Sequence, residues 1–335
     1  MITFFVRRLL LALITIWVIS VISFGVIVIP PGDFATQYAD RLNGQEGGIG
    51  IDSATYRRMV EDLRRQYNLN RPITVQYLAW AWDILHGDLG LALRELEPVR
   101  DVLGERIVNT LILAVTTMVF SWIMAIPIGI YSAVRQHTPG DYIVTFFGFL
   151  GLAVPDFLLG LTLLWVVFDR FDILLDGLFT SEYKAAPWSP GRVWDLMKHL
   201  WIPAIVLGTS GTAGLIRILR NNLLDELRKP YVVTARAKGM PEWKLVVKYP
   251  VRVALNPVLS GIGYVLPALF SGSIIVSVVL NLPTIGPKLL QALQTQDISL
   301  ASSSILILGA LTVIGILVSD ILLAVADPRV KMETV

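Results

Sequence analysis

Apolar positions along the chain gather into six long blocks separated by polar or proline-rich breaks. The blocks cover residues 9–29, 107–131, 142–168, 199–219, 255–280 and 301–326, each about as long as a helix needs to cross a hydrocarbon core of ~30 Å. None alternates apolar and polar residues in the β-barrel manner, so six transmembrane helices are predicted. The first block follows Arg7 and Arg8 and runs into Pro30-Pro31-Gly32-Asp33. It exceeds a signal-peptide core and lacks a small-residue cleavage site, which predicts an uncleaved anchor. Prolines at 127, 155, 203, 257 and 267 predict internal breaks, whose freed carbonyls must find partners on neighbouring helices or in a wet cavity. The small-residue run from Gly208 to Gly214 predicts close helix contact.

Between the first two blocks, residues 30–106 form a long polar insertion. Tyr56, Met59, Val60, Leu63 and Tyr67 fall at helical spacing behind a cap at Asp52 or Ser53, so a helix is predicted over 54–67. A second helix begins with Pro72 at its first position and places Val75, Leu78, Ala79, Trp82 and Leu85 on one face. The tract 43–50, with four glycines, reads as a flexible loop.

Composition agrees with the pattern. The 335 residues are 54% apolar and only 16% charged, with a mean hydropathy of +0.65, well below the roughly 25% charged of soluble domains. A net charge of +2 points to no nucleic-acid partner, and the absence of cysteine excludes disulfides, thiol catalysis and thiolate metal sites. His86, His137 and His199 are scattered, and neither a metal-ligand spacing nor a serine–histidine pair emerges. No metal or catalytic residue is therefore expected. With the N-terminus inside, the inner segments carry fourteen lysines and arginines and the short outer loops five. Both termini are therefore expected in the cytoplasm, with 30–106 outside. The chain divides into 1–29 (N-terminal segment and first span), 30–106 (extracytoplasmic helical region), 107–327 (five-helix core) and 328–335 (tail).

The stretch between the fourth and fifth spans is the most informative. Nine basic residues lie between Arg217 and Arg252 against three acidic ones, enough to fix topology by themselves. Pro230 suits a helix start, Gly239 the left-handed residue that ends one, and Pro241 the start of another carrying Trp243, Val246 and Val247 on one face. Alanines at 235 and 237 keep the first helix slim enough for a partner's groove.

Val233-Thr-Ala-Arg-Ala-Lys-Gly239 resembles the EAA loop of ABC-importer permeases, in the form typical of the dipeptide/oligopeptide branch. Ile29-Pro-Pro-Gly-Asp33, Tyr77-Leu-Ala-Trp80, His86-Gly-Asp-Leu-Gly90, Val154-Pro-Asp-Phe157, Ile202-Pro-Ala-Ile-Val-Leu-Gly208 and Asp327-Pro-Arg329 resemble that branch in order, over nearly the whole chain. The chain departs from it at Val233-Thr-Ala235, which replaces the general Glu-Ala-Ala. It also departs at Pro283-Thr-Ile-Gly286 and Gln296-Asp-Ile-Ser299, on the outer side where a receptor or substrate is met.

The resemblance implies an all-α integral membrane protein with the six-helix type I importer permease fold and an extracytoplasmic helical insertion. It implies the first of two permease subunits, non-catalytic, in a bacterial or archaeal plasma membrane. Partners implied are a second homologous permease, two ATPase subunits that bind ATP and Mg, a solute-binding protein and the lipid bilayer. No cofactor is implied on this chain, which carries no phosphate-binding Gly-x-x-x-x-Gly-Lys loop. Within the coupling loop 220–254, Val233, Thr234, Ala235, Arg236, Ala237, Lys238 and Gly239 are the expected ATPase-coupling residues. Ala235, Ala237 and Gly239 would supply fit, and Arg236 and Lys238 polar contacts.

Charges inside spans are costly and are functional suspects. Asp156, beside Pro155, and Asp320, about two turns from the end of the last span, are candidate pathway or gate residues. Each has a structural alternative: helix-break satisfaction for Asp156, and a backbone or Arg217 partner for Asp320. Short peptides are the expected cargo; oligosaccharides or metal chelates fit the same architecture. An ion-coupled secondary transporter would require paired midplane charges and an inverted repeat, which are not evident. An intramembrane hydrolase would require a catalytic pair, likewise not evident.

Overall fold

Runs of apolar residues without β-branched alternation become helices, and the structure, a computed structural model, is built almost entirely from them. It describes residues 2–45, 52–173 and 177–326. The closing Asp327-Pro-Arg329 and most of the glycine tract at 43–50 lie outside the described residues. Residues 43–45 are the end of a helix rather than the start of a loop.

The elements in order are α1 (Ile2–Val28), α2 (Phe34–Gln45), α3 (Ser53–Gln66), α4 (Ile73–Leu85), the hairpin strands β1 (Leu91–Ala92) and β2 (Glu97–Pro98), and α5 (Val99–Val134). They continue with α6 (Pro139–Ala153), α7 (Asp156–Phe171), α8 (Pro190–Leu227), α9 (Pro230–Ala237), α10 (Glu242–Lys248), α11 (Pro250–Ala254) and α12 (Asn256–Ser260). The last are α13 (Ile262–Val279), α14 (Ile285–Gln294) and α15 (Ile298–Ala326). Among the described residues, four helices are long and apolar enough to cross a membrane, in α1, α5, α8 and α15, against the six expected; α6 and α7 pass the same test only together, as a pair bent by 100° at Val154–Pro155 that is a broken span or a re-entrant loop. The expected span at 255–280 is divided at Gly261 between α12 and the 18-residue α13.

Of the five prolines expected to break spans, Pro155 produces the sharp bend. Pro127, Pro203 and Pro267 lie inside helices that continue through them, since a long apolar helix loses a single backbone bond at such a point and keeps the rest. Pro257 sits in the first turn of α12, where its missing N–H costs nothing.

The chain forms two compact units, Met1–Asn109 with Thr284–Val313, and Thr110–Pro283 with Ile314–Val335. In the first, Asp33 caps α2 by accepting from the Thr36 amide at 3.0 Å, and Arg64 of α3 donates to its other oxygen at 2.6 Å. Burial alone would raise this carboxyl, but the Arg64 and Thr36 hydrogen bonds bring it below its ordinary value. Asp52, one of the two expected caps, accepts from the Thr55 amide at 2.7 Å. The predicted stripe Tyr56, Met59, Val60 and Leu63 packs on Ala35 and Ala39 of α2.

The hairpin is locked to the junction of α14 and α15. The buried Asp297 carboxylate accepts from the Leu93 amide at 2.6 Å and the Leu300 amide at 3.1 Å. Glu95 pairs with Lys288 at 2.6 Å, and Gln296 donates to the Pro31 carbonyl at 3.1 Å. The divergent stretch 296–299 is thus engaged in internal bonds.

In the second unit, α6, α7 and α11 pack on the long α8. The small-residue prediction holds at Gly208: a Cβ there would stand 2.5 Å from the Phe120 ring, and the Ser121 hydroxyl donates to the Gly208 carbonyl at 3.2 Å. At the start of α8, Arg192 lies 4.5 Å from the Phe179 ring and 4.7 Å from that of Trp188, and Asp195 accepts from the Thr180 amide at 2.8 Å. These buried charges fasten the preceding loop.

Candidate functional site

The segment after α8 folds as its prolines and glycine dictate. Pro230 occupies the first turn of α9, where its locked φ suits the helix. Gly239 ends α9 with φ +75°, a left-handed conformation open to glycine at little cost. Pro241 is the residue before α10.

A buried base sets this helix pair in place. Val232 of α9 and Leu245 and Val246 of α10 are sealed against Leu219 and Leu223 of α8, Ala133 of α5, and Val251 and Ala254 of α11. The same helices leave apolar side chains exposed, Tyr231 40% and Val233 55% on α9 and Trp243 67% and Val247 56% on α10. Arg236, Lys238, Lys244 and Lys248 of the same segment are exposed as well. Trp243 and Val247 share the outer face as expected, but Val246 points inward: 100° per residue separates it from Val247 by enough to cross the helix boundary.

The seven predicted coupling residues divide in the same way. Val233, Thr234, Arg236, Ala237, Lys238 and Gly239 are exposed, whereas Ala235 is half-buried against the base. The Thr234 hydroxyl donates back to the Pro230 carbonyl at 2.9 Å. Arg236 makes a two-pronged pair with Glu242, Nη2–Oε1 2.5 Å and Nε–Oε2 3.0 Å. Their hydrogen bond lowers the Glu242 pKa and raises that of Arg236. The guanidinium therefore ties the end of α9 to the start of α10 across the Gly239 turn, an internal role that spacing alone does not announce.

A second arrangement is one that sequence reasoning misses. Asp141, nearly buried in the first turn of α6, receives Arg220 of α8 through Nη2–Oδ2 at 3.0 Å and Nε–Oδ1 at 3.2 Å. Arg220 Nε also donates to Ser132 Oγ at 3.0 Å, Ser132 donates to Asp141, and the His137 amide donates to Asp141 Oδ2 at 3.0 Å. The network joins the α5–α6 turn to α8 seven residues before α8 ends. Its one trace in the sequence is Arg220 near the end of an apolar run, since the partner lies 79 residues away.

The two intramembrane candidates stand apart from the coupling segment. Asp156 is the first residue of α7, half-buried at the Pro155 bend, and Ser210 of α8 donates to it at 3.4 Å. Asp320 is half-buried on α15, next to Ser319, whose hydroxyl donates to the Leu259 and Ser260 carbonyls of α12 at 2.8 and 3.1 Å. Among the described residues, no group of histidine and carboxylate side chains could hold a metal ion.

Comparison with known proteins gives a consistent result. Residues 125–332 match the family described as "Binding-protein-dependent transport system inner membrane component". The chain is 32% identical over 332 residues to the oligopeptide transport system permease protein AppB of Bacillus subtilis, covering 99% of this chain and 100% of the relative. It is 28% identical over 347 residues to the dipeptide transport system permease protein DppB of Escherichia coli K12, covering 99% of each. The inner membrane ABC transporter permease protein YejB of Escherichia coli O157:H7 is 28% identical over 362 residues, covering 98% of this chain and 99% of the relative.

Proposed function

The chain belongs to the binding-protein-dependent transport system inner membrane components, and from that premise we propose that it is the non-catalytic permease subunit of an ATP-driven importer of short peptides. The cargo reading is supported by the full-length likeness to relatives named for oligopeptide and dipeptide transport. The partners are two ATPase subunits, a second homologous permease and a solute-binding protein. Both termini and the loop 230–249 face the cytoplasm, in keeping with the surplus of lysine and arginine on that side.

The observation that carries the reading is a helix pair with a fully packed base that leaves Tyr231 and Val233 of α9 and Trp243 and Val247 of α10 exposed. A rigid seat that keeps apolar and basic side chains exposed together suits a protein-docking surface. Docked ATPases that bring their subunits together push on α9, and the packed base passes the push to α8, a single helix of 38 residues. The pathway then alternates between two states whose balance the ATPases bias. Asp156, at the bend between α6 and α7, and Asp320 on α15 are the candidate pathway or gate residues.

The test is a pull-down of the tagged chain in mild detergent, with mass spectrometry of the proteins retained and a parallel Val233→Asp variant. ATPases and a second permease are expected with the native chain, and loss of the ATPases alone with the variant. The retained binding protein is then titrated with peptides, oligosaccharides and metal chelates. A chain that purifies alone and transports under an ion gradient overturns the importer reading; a binding protein that takes sugars but not peptides overturns the cargo.

A further inference from the structure

We propose that α4 lies within one leaflet of the bilayer, its outward apolar face covered by lipid acyl chains, although it belongs to a region that reads as an extramembrane domain. The helix is attached to the first span. Its Tyr77 hydroxyl is 2.9 Å from Ser20 Oγ of α1, and the rings of Tyr77 and Trp80 each lie 5.6 Å from that of Phe24. Trp80, Phe24 and Ser20 are buried in this seam.

Phe24 and Ser20 precede the end of the apolar span at Val28 by four and eight residues, or about 6 and 12 Å along a helix rising 1.5 Å per residue. The span begins just after Arg7-Arg8 in effect, since Leu9–Val28 already fills a hydrocarbon core of ~30 Å. Side chains seated at Ser20 and Phe24 are therefore inside the apolar slab, at the depth typical of helices that lie in the interface, ~5–10 Å.

The face of α4 turned away from α1 has the chemistry such a depth demands. Leu78 is 65% exposed, Trp82 64% and Leu85 80%, at spacings of four and three residues that stack them on one side. Val75 extends the same stripe. This is the face that periodicity predicts as the buried one, and the protein leaves it open. Asp83, exposed, is the single charged residue in the helix, with Arg71 and His86 just beyond its ends. Trp17, Ile22 and Val26 of α1 are likewise apolar and more than half exposed. The depth of the Ser20–Phe24 seat points to acyl chains as the occupant.

The inference depends on the chain spanning a membrane and is independent of cargo and ATPase partners. The chain has no cysteine, so Leu78→Cys, Trp82→Cys and a control, Arg58→Cys on the exposed surface of α3, each introduce one thiol into it. The full chain is labelled at that thiol with an NBD fluorophore and reconstituted, with the subunits that co-purify, into phosphatidylcholine vesicles with and without brominated acyl chains. Blue-shifted emission that is lost with brominated lipid is expected at 78 and 82, and water-like, unquenched emission at 58. Both test side chains point away from the α1 seam, so neither substitution disturbs the attachment. Water-like emission at 78 and 82 overturns the proposal. Blue-shifted emission indifferent to bromine overturns it too, by placing a protein partner on the face.

Discussion

Asp297 offers the sharpest test of how the hairpin is held, because its charge is buried and its partners are all backbone amides. The residue is fully buried and accepts from Leu93 and Leu300 N–H. Burial pushes its carboxyl from 3.8 up to about 6, although those amides and that of Arg94 favour the ionised form; Glu95, itself paired with Lys288, adds to the rise. A folded-state value above the unfolded one means that the folded protein binds the proton more tightly. The stabilising contribution is therefore fully present below about pH 4 and is lost as pH rises through about 6. A shift of roughly two units corresponds to about 3 kcal/mol.

Asp297→Asn keeps the shape and capping ability of the side chain and removes its titration. It turns one acceptor into an NH2 group facing an amide donor, at a cost of about 1–3 kcal/mol. Near pH 7 the variant should match the native protein, because the lost hydrogen bond is offset by the missing charge burial. Near pH 4.5 it should be the less stable of the two. Thermal unfolding of the detergent-solubilised protein between about pH 4 and pH 8 gives the difference curve, which should move by about 3 kcal/mol in that window. Parallel curves for the two proteins, or a native protein gaining stability relative to the variant as pH rises through 6, would refute the reasoning.

Three further outcomes are expected. Leu245→Ala removes a fully buried side chain from beneath α10 and should cost about 2–5 kcal/mol; it should loosen ATPase co-purification without touching the exposed side chains, as read by a pull-down at increasing temperature. Gly239→Val meets no neighbour within 4 Å, so its penalty is the left-handed backbone alone, about 1–3 kcal/mol; Gly239→Asn, which tolerates that conformation, should retain more partner binding in the same assay. Asp141→Ala leaves Arg220 three-quarters buried without its carboxylate and the buried Ser132 hydroxyl without its acceptor. It should lower stability by about 3–5 kcal/mol, and combining it with Arg220→Met should recover part of the loss in melting temperature.

Local signals are legible in the sequence by itself. The helix–break–helix at 230–248 follows from Pro230, Gly239 and Pro241, because fixed φ angles and a left-handed residue act within a few positions of themselves. The helix over α3 and its Asp52 cap follow from apolar spacing and a side chain that reaches its own first turn. Membrane insertion follows from run length, since lipid offers backbone groups no partner. Family resemblance is likewise carried by short motifs.

What only the tertiary structure decides is which way each face turns and which distant groups meet. Periodicity groups Val75, Leu78, Trp82 and Leu85 on one side of α4 but cannot say that Tyr77 and Trp80, on the other side, take the seat on α1. The family motif implies contact roles for Ala235 and Arg236, but only the fold shows that Ala235 is half-buried against the packed base and that Arg236 also pairs with Glu242 six residues on. Asp141 with Arg220, and Asp297 with Leu93, join positions 79 and 204 residues apart. Such pairs leave no periodic trace, because each is selected by the burial that surrounds it, and burial is a property of the folded chain.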